Sequence, residues 1–212
     1  MILTQLVIAA IFYIPFVVFI KDDPDVPPSA VAEVKYEAIT VAQIFSKLKE
    51  NLNFLLLLVA FALPEGSFLA ITAIVSSVAD PFGFTPSEIS FLVFGMIFFG
   101  VAGAVKFGII LDKTGMYKMV MITNLLITVV ATTILGMVLM FFTNSSYFKP
   151  LVFIQMIVAG FFATAFGSIC YSYASELTFP MQPSLVNGLL SIVEQLSFTL
   201  FTLLGSYLTK EG

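Results

Sequence analysis

Long apolar runs separated by short polar segments occupy most of the chain. Six of these runs approach or exceed the roughly 20 residues that an α-helix needs to cross a bilayer. The runs are 2–20, 52–79, 89–111, 119–142, 150–173 and 184–208. The first run lacks the basic start and the small-residue cleavage site of a signal peptide, so we interpret it as a true span. The pattern predicts an all-α, multi-pass integral membrane protein with six transmembrane helices.

Composition agrees with a lipid environment and excludes several classes of function. Hydrophobic residues make up 59% of the chain, charged residues make up 10%, and the mean hydropathy is +1.07. All nine basic residues are lysine, there is no histidine, and the net charge of −4 does not suggest a nucleic-acid partner. We find no phosphate-binding loop, dinucleotide fingerprint, metal-ligand cluster or nucleophile triad, so we expect neither an enzyme nor a bound cofactor or metal. We interpret the single cysteine, Cys170, as a small buried hydrophobe.

Lysine is distributed unevenly between the two sets of loops that six spans create. Six lysines fall on the side that holds the loops 21–51, 112–118 and 174–183. Only two fall on the other side, which holds the loops 80–88 and 143–149 and the C-terminus. Because lysine is enriched in cytoplasmic loops, the first side is predicted to be cytoplasmic. Both ends of the chain then lie on the outer side.

The loop 21–51 is the longest segment between spans. Its start contains Pro27 and Pro28 and is not predicted to be helical. Its end carries apolar residues at helical spacing between charged ones, which predicts a short amphipathic helix on the inner membrane surface. These apolar residues are Val41, Ile44, Phe45 and Leu48. We therefore expect the last helix of an N-terminal half at 1–20, a cytoplasmic linker at 21–51, and an incomplete C-terminal bundle of five helices at 52–212.

A glycine-rich, charged turn follows the third span. It contains Gly108, Asp112, Lys113, Gly115 and Lys118, and it resembles the cytoplasmic loop motif of the major facilitator superfamily. Gly108 would let neighbouring helices approach, and Gly115 would adopt a positive φ. Asp112 would pair across two halves of a carrier, in a latch that opens during alternating access. The alternative is an ordinary charged cytoplasmic loop.

A second acidic motif ends the fifth span and carries a narrower resemblance. The stretch 173–180, YASELTFP, and the stretch 187–195, NGLLSIVEQ, resemble the feline leukaemia virus subgroup C receptor family of facilitators. The resemblance covers about 40–208 and implies spans six to eleven of twelve, so that the N-terminal half would be missing. It also implies a cargo of choline, ethanolamine or haem. Glu176, in the first stretch, is a candidate partner for Lys113 or Lys118 in an inner gate, or else a solvated acid.

The same resemblance implies residues of a binding site. The family's glutamine in span eleven falls on Gln195, and its aromatic pair in span seven falls on Phe68 and Leu69. Leu69 departs from the aromatic pattern, so the resemblance does not imply a complete aromatic cage for choline. Glu194 also departs from it, because the family has a small residue beside that glutamine.

Two acidic residues lie deep inside spans, where ionisable groups are costly and usually functional. Glu65 lies about 20 Å and Glu194 about 15 Å from the inner ends of their predicted helices, at a rise of about 1.5 Å per residue. Both acids are therefore expected at a similar depth. Pro64 and Gly66 flank Glu65 and predict a broken helix, which is where transporters place ligand sites.

These acids have two functional interpretations and one structural interpretation. Together with Phe68 and Gln195, Glu65 and Glu194 could hold an organic cation by charge and by cation–π contact. Either acid could instead carry a proton for coupling. The structural alternative is that they stay protonated and hydrogen-bonded between helices. A third ionisable group, Lys106, lies near the inner end of its span and is expected to extend to the interface.

The function that these features favour is transmembrane solute transport by alternating access. The expected partners are the bilayer, a small-molecule substrate and the helices of the other half. The alternatives are a six-span membrane scaffold and a truncated subunit that does not transport. The substrate, the coupling ion and the membrane are left open by the sequence.

Overall fold

The chain divides into two units, residues 1–36 and residues 37–212. The computed structural model describes residues 6–7, 9–11, 13–14, 46 and 48–211, with only the backbone of residues 210 and 211. In the first unit, the described residues from Leu6 to Ile14 are helical. The rest of the predicted first span, and most of the predicted linker, lie outside the described residues.

In the second unit, the described residues from 51 onward form five long α-helices and one short 3-10 helix, and Ser46 and Leu48 are also helical. They are α1 (Leu52–Ala79), the 3-10 helix (Asp80–Phe82), α2 (Pro86–Thr114), α3 (Tyr117–Phe141), α4 (Phe148–Leu177) and α5 (Pro183–Glu211). Each of the five is long and apolar enough to cross a membrane. The five spans predicted after the linker are therefore confirmed, and so is the all-α class, since the described residues form no β-strand.

Capping groups fix where the helices begin and end. The Asn51 side chain accepts a hydrogen bond from the backbone N–H of Phe54 and caps the start of α1. Thr85 and Glu88 form a capping box at the start of α2, which satisfies two backbone donors at once. Gly115 ends α2 in the left-handed conformation, with φ 62° and ψ 5°.

Helix α4 is the centre of this bundle. It packs against α2 and α3 and also contacts α1 and α5, and α1 packs closely along α5. It is also the most buried of the five spans. A polar group on α4 can therefore meet groups from several other helices.

Glycines allow α2 and α4 to pack with little space between their backbones. A side-chain carbon at Gly103 would collide with the carbonyl oxygen of Phe161, and one at Gly160 would collide with Met96. A side-chain carbon at Gly100 would likewise collide with Thr164. Small residues thus permit close helix packing at this interface.

Two hydrophobic clusters fill the bundle, one toward each end. The inner cluster consists of Leu48, Phe54, Leu57, Phe61, Phe166, Cys170, Ala174, Val186 and Leu190. The outer cluster consists of Ala79, Phe84, Leu92, Met96, Val138, Phe148, Val152 and Met156. Cys170 is a free, buried thiol, as expected. Leu48 is buried in the inner cluster, so the end of the predicted amphipathic helix packs on the bundle.

The helix break expected at Pro64 does not occur. Helix α1 is continuous from Leu52 to Ala79 with Pro64 in its interior. The Ser67 hydroxyl donates a hydrogen bond to the carbonyl oxygen of Pro64 at 2.8 Å. Gly66 lies against the backbone of α5 at Ser197, so its lack of a side chain serves close packing rather than flexibility.

Candidate functional site

Glu65 faces a glycine on the neighbouring helix α4. It lies 13 residues beyond the start of α1, about halfway along that helix. A side-chain carbon at Gly167 would lie 2.6 Å from Oε1 of Glu65. The absence of a side chain at Gly167 therefore provides the space that the Glu65 carboxyl group occupies.

Glu194, on α5, is held by a tyrosine from α4. The hydroxyl of Tyr171 donates a hydrogen bond to Oε2 of Glu194 at 2.7 Å. The Ser191 hydroxyl lies 2.9 Å from the same tyrosine oxygen. Because the tyrosine proton is directed at the carboxylate, Ser191 is the donor in the second contact. The result is a chain of hydrogen bonds that runs from Ser191 through Tyr171 to Glu194.

The two acids lie close enough to interact electrostatically, and both also act on Tyr171. The ring of Tyr171 packs edge-on against the ring of Phe61, with 5.2 Å between their centroids. The structure thus brings Glu65 and Glu194 together around one tyrosine. We call Glu65, Tyr171, Ser191 and Glu194 the carboxyl site.

The carboxyl site lacks a neutralising base within the part of the chain that the structure describes. There, no lysine forms an ion pair with Glu65 or Glu194, and Glu65 accepts no hydrogen bond. Both residues are half-buried. Two negative charges that share a site of low polarity repel each other, so the pair is suited to take up a cation or a proton.

The other two residues predicted for this site lie differently. Gln195 is exposed on α5, beside Glu194. Phe68 is half-buried and packs against the outer cluster. Tyr171, which is not among the residues predicted from the sequence, is therefore the aromatic residue that contacts Glu194.

The glycine-rich, charged motif at 108–118, which we call the gate motif, covers the end of α2, the turn at Gly115 and the start of α3. Gly115 adopts the expected positive φ, and its N–H donates to the carbonyl oxygen of Leu111 at 2.8 Å. Asp112, Lys113 and Lys118 are exposed. Gly108 has no atom within 4 Å of a side-chain carbon built on it, so the described helices make no close approach there.

A tyrosine connects the two acidic motifs of the predicted cytoplasmic side. Tyr117, at the start of α3, interacts electrostatically with both Glu176 and Asp112. Its ring stacks on that of Tyr173, with centroids 6.1 Å apart and an interplanar angle of 16°. Among the described residues, Glu176 forms no ion pair with Lys113 or Lys118.

Comparison with known proteins identifies the family. The sequence model of the Major Facilitator Superfamily matches residues 55–212. The chain belongs to this superfamily. The match covers α2 to α5 and all but the first three residues of α1, so the carboxyl site and the turn at Gly115 are both parts of a Major Facilitator fold. The predicted membership of that superfamily is confirmed.

Individual relatives in the superfamily agree with the narrower resemblance. The chain is 31% identical over 202 residues to the choline/ethanolamine transporter FLVCR2 of Rattus norvegicus and 30% identical over 217 residues to that of Homo sapiens. It is 27% identical over 201 residues to the choline/ethanolamine transporter FLVCR1 of Felis catus. These alignments cover 92%, 97% and 92% of this chain but only 36%, 40% and 35% of the relatives. The chain therefore spans less than half the length of these relatives.

The predicted outer end of this Major Facilitator bundle is joined by an ion pair. Lys149, at the start of α4, contacts both carboxylate oxygens of Glu88 at 2.8 and 2.9 Å. Its ammonium group also lies 5.2 Å from the ring centroid of Phe84. Sequence reasoning missed this contact because the two residues are 61 positions apart. Lys106, near the other end, lies 5.7 Å from the ring centroid of Phe161 and is exposed.

Proposed function

We propose that the chain forms part of a carrier that moves a small organic cation across a membrane by alternating access. Membership of the Major Facilitator Superfamily supports transport over a scaffold or an enzyme. Relatives named as choline/ethanolamine transporters support an amine or a quaternary ammonium as the substrate. The observation that carries the proposal is the carboxyl site, in which two acids meet without a described lysine to neutralise them.

The two acids of the carboxyl site favour a cation as its ligand. A choline-like ammonium would relieve the repulsion between Glu65 and Glu194, and the half-buried ring of Tyr171 offers a face for cation–π contact. Gln195 lies next to Glu194 and is exposed for a polar contact. Phe68, about one helical turn after Glu65 on α1, would contribute a second aromatic ring to the contact with the cation. The cavity of a two-half carrier also needs the helices of the other half, which face these groups in the proposed arrangement.

Haem is the less favoured cargo. Its propionate groups are anionic, so the carboxyl pair would repel them. The chain also contains no histidine to hold the iron. The alternative of a non-transporting scaffold predicts no uptake of any of these compounds.

The gate motif has a separate role in this proposal. The acids Asp112 and Glu176 are brought near one tyrosine, Tyr117, at the end of the bundle where lysine is enriched. We assign Gly108, Lys113, Gly115 and Lys118, together with these acids, to the contact that closes the cytoplasmic side. The exposed lysines are free to pair with acids of the other half.

Uptake of labelled choline, ethanolamine and haem by cells that express the carrier containing this chain tests the proposal. We expect choline or ethanolamine uptake that falls at least tenfold in Glu65→Gln and in Glu194→Gln, because each variant removes charge that faces the cation. Asp80→Asn is the matched control, since Asp80 is an exposed acid in the outer turn. Equal uptake in the parent and both glutamine variants would remove the carboxyl site from the proposal.

A further inference from the structure

Lys106 is a basic residue of α2 that the carboxyl site does not use. Its ammonium group lies 5.7 Å from the ring centroid of Phe161, and Phe161 lies about halfway along α4. The nearer end of α4 is roughly 20 Å away at the helical rise, whereas the hydrocarbon core of a bilayer is only about 30 Å thick. The ammonium group therefore lies near the middle depth of the membrane, and not at the interface to which the sequence predicts that it extends.

Lipid is an unsuitable environment for this ammonium group. A lysine at this depth faces the interior of a helix bundle or a water-filled cavity, because hydrocarbon does not solvate its charge. The Lys106 side chain is exposed on the described bundle, and no carboxyl group in the described part of the chain pairs with it. An exposed lysine without an acid partner in its own bundle therefore requires contact with water.

The face of α4 next to Lys106 is polar from this depth toward the predicted inner end. Thr164, Ser168 and Ser172 follow Phe161 at intervals of three and four residues, which places all four side chains on one face of the helix. Ser172 is exposed, and Thr164 and Ser168 are half-buried. The hydroxyls of Ser168 and Ser172 donate to carbonyl oxygens of α4 itself, so their oxygen lone pairs stay available to water.

This polar face of α4 passes beside the carboxyl site. Ser168 follows Gly167, whose missing side chain makes room for the Glu65 carboxyl group. Phe161 lies six positions before Gly167, which is about 9 Å along the axis of α4. A hydrated path along this face therefore connects the carboxyl site with the ammonium group of Lys106.

We propose that Lys106 lines the substrate path of the carrier and makes it select singly charged over doubly charged amines. This inference rests on the proposed function. A monocation at the carboxyl site keeps its one charge away from the lysine, whereas a dication places its second charge in the path between them. Repulsion between two unit charges about 5 Å apart weakens binding about tenfold, at a dielectric constant between those of water and a protein surface. The two acids cannot make this distinction, because they attract both classes of ligand.

Thiol labelling of Lys106→Cys tests the location of this residue. The purified carrier containing this chain is treated with MTSES, a water-soluble and negatively charged thiol reagent. The parent is the control, because its Cys170 is buried. We expect faster labelling of the variant than of the parent, and slower labelling of the variant when choline is bound. A variant that is labelled no faster than the parent would place Lys106 away from water and overturn the proposal.

Inhibition of choline uptake tests the selectivity. Hexamethonium carries two trimethylammonium groups, and tetramethylammonium is a single quaternary ion, so the ratio of their half-inhibitory concentrations measures discrimination by charge number. We expect Lys106→Gln to lower the ratio of hexamethonium to tetramethylammonium about tenfold. Lys106→Arg keeps the charge and should leave the ratio of the parent. Lys149→Gln is the matched control, because Lys149 is held in an ion pair at the predicted outer end.

The outcomes separate this inference from the proposed function. A ratio that is the same in the parent and in Lys106→Gln, with choline uptake retained, would overturn the role of Lys106 and leave the proposed function standing. If Lys106→Gln does not reach the membrane, the ratio is measured in Lys106→Cys before and after reaction with the amine-bearing reagent MTSEA. Restoring a positive charge in this way should raise the ratio, and an unchanged ratio would again overturn the role of Lys106. A parent that does not transport choline would overturn both proposals.

Discussion

The contact between α1 and α5 at Gly66 makes a sharp prediction about stability. A side-chain carbon at this position would lie 2.5 Å from Cβ of Ser197 and 2.8 Å from the backbone nitrogen of Phe198. Ordinary contacts between such atoms begin at 3.4 Å. In Gly66→Ala, the two helices must therefore separate by about 1 Å or bend, since backbone atoms cannot rotate away.

Overpacking of this kind costs about 1–3 kcal/mol, partly offset by the roughly 1 kcal/mol that alanine gains over glycine inside a helix. We expect a lower Tm for purified Gly66→Ala, measured by the intrinsic fluorescence of the tyrosines during heating. The separation also moves α5 where it carries Glu194, three residues before Ser197, so choline affinity should fall together with Tm.

Gly136→Ala is the matched control for this prediction. Gly136 is also inside a helix, on α3, but nothing lies within 4 Å of a side-chain carbon built there. Alanine at this position should therefore leave Tm unchanged or raise it. If Gly66→Ala proved as stable as Gly136→Ala, the close approach of α1 and α5 at Gly66 would be refuted.

Three further predictions concern other positions in the bundle. Gly115→Ala places a side chain at φ 62°, which should destabilise the turn by about 1–2 kcal/mol and lower Tm, while Gly115→Asn should cost less. Asn124 is fully buried, and neither its Nδ2 nor its Oδ1 has a partner among the described residues, so Asn124→Leu should raise Tm; a fall would show that the amide has a partner outside them. Gly167→Ala would displace the Glu65 carboxyl group, so it should reduce choline affinity while Tm stays near that of the parent, and an unchanged affinity would contradict the placement of Glu65.

Much of this bundle is predictable because single helices respond to local sequence. Apolar length alone gives the five spans of the second unit, since hydrocarbon forces every backbone group to pair within its own helix. The positive φ at Gly115 follows in the same way from glycine at the end of a helical run. Both depend on neighbours along the chain, which the sequence displays directly.

Contacts between helices were predictable only in part. The depths of Glu65 and Glu194 follow from counting residues along each helix, but the faces that meet depend on how α1, α4 and α5 are rotated. Tyr171 and Glu194 are 23 positions apart, and nothing local connects them. One signal for this contact is present in the sequence. Tyr171 lies inside an apolar span, and a buried tyrosine hydroxyl needs a hydrogen-bond partner.

The predicted helix break at Pro64 is wrong because contacts with another helix also decide whether a helix breaks at proline. Proline removes one backbone hydrogen bond, and that loss breaks a helix only when nothing else holds the flanking residues in place. Here Gly66 is packed against the backbone of α5, and Ser67 donates back to the Pro64 carbonyl oxygen. Close packing at Gly66 therefore helps to keep α1 continuous where Pro64 removes a backbone hydrogen bond.

Gly66 follows Glu65 on α1, Gly167 faces its carboxyl group from α4, and the two glycines control different properties of the site. At Gly66 the obstacle to a side chain is backbone, so this position fixes the separation of α1 and α5 and with it the distance between the two acids. At Gly167 the obstacle is the end of the flexible Glu65 side chain, so this position fixes only where one carboxyl group lies. The first glycine is therefore coupled to the stability of the bundle, and the second to the position of the Glu65 carboxyl group on which the proposed function depends.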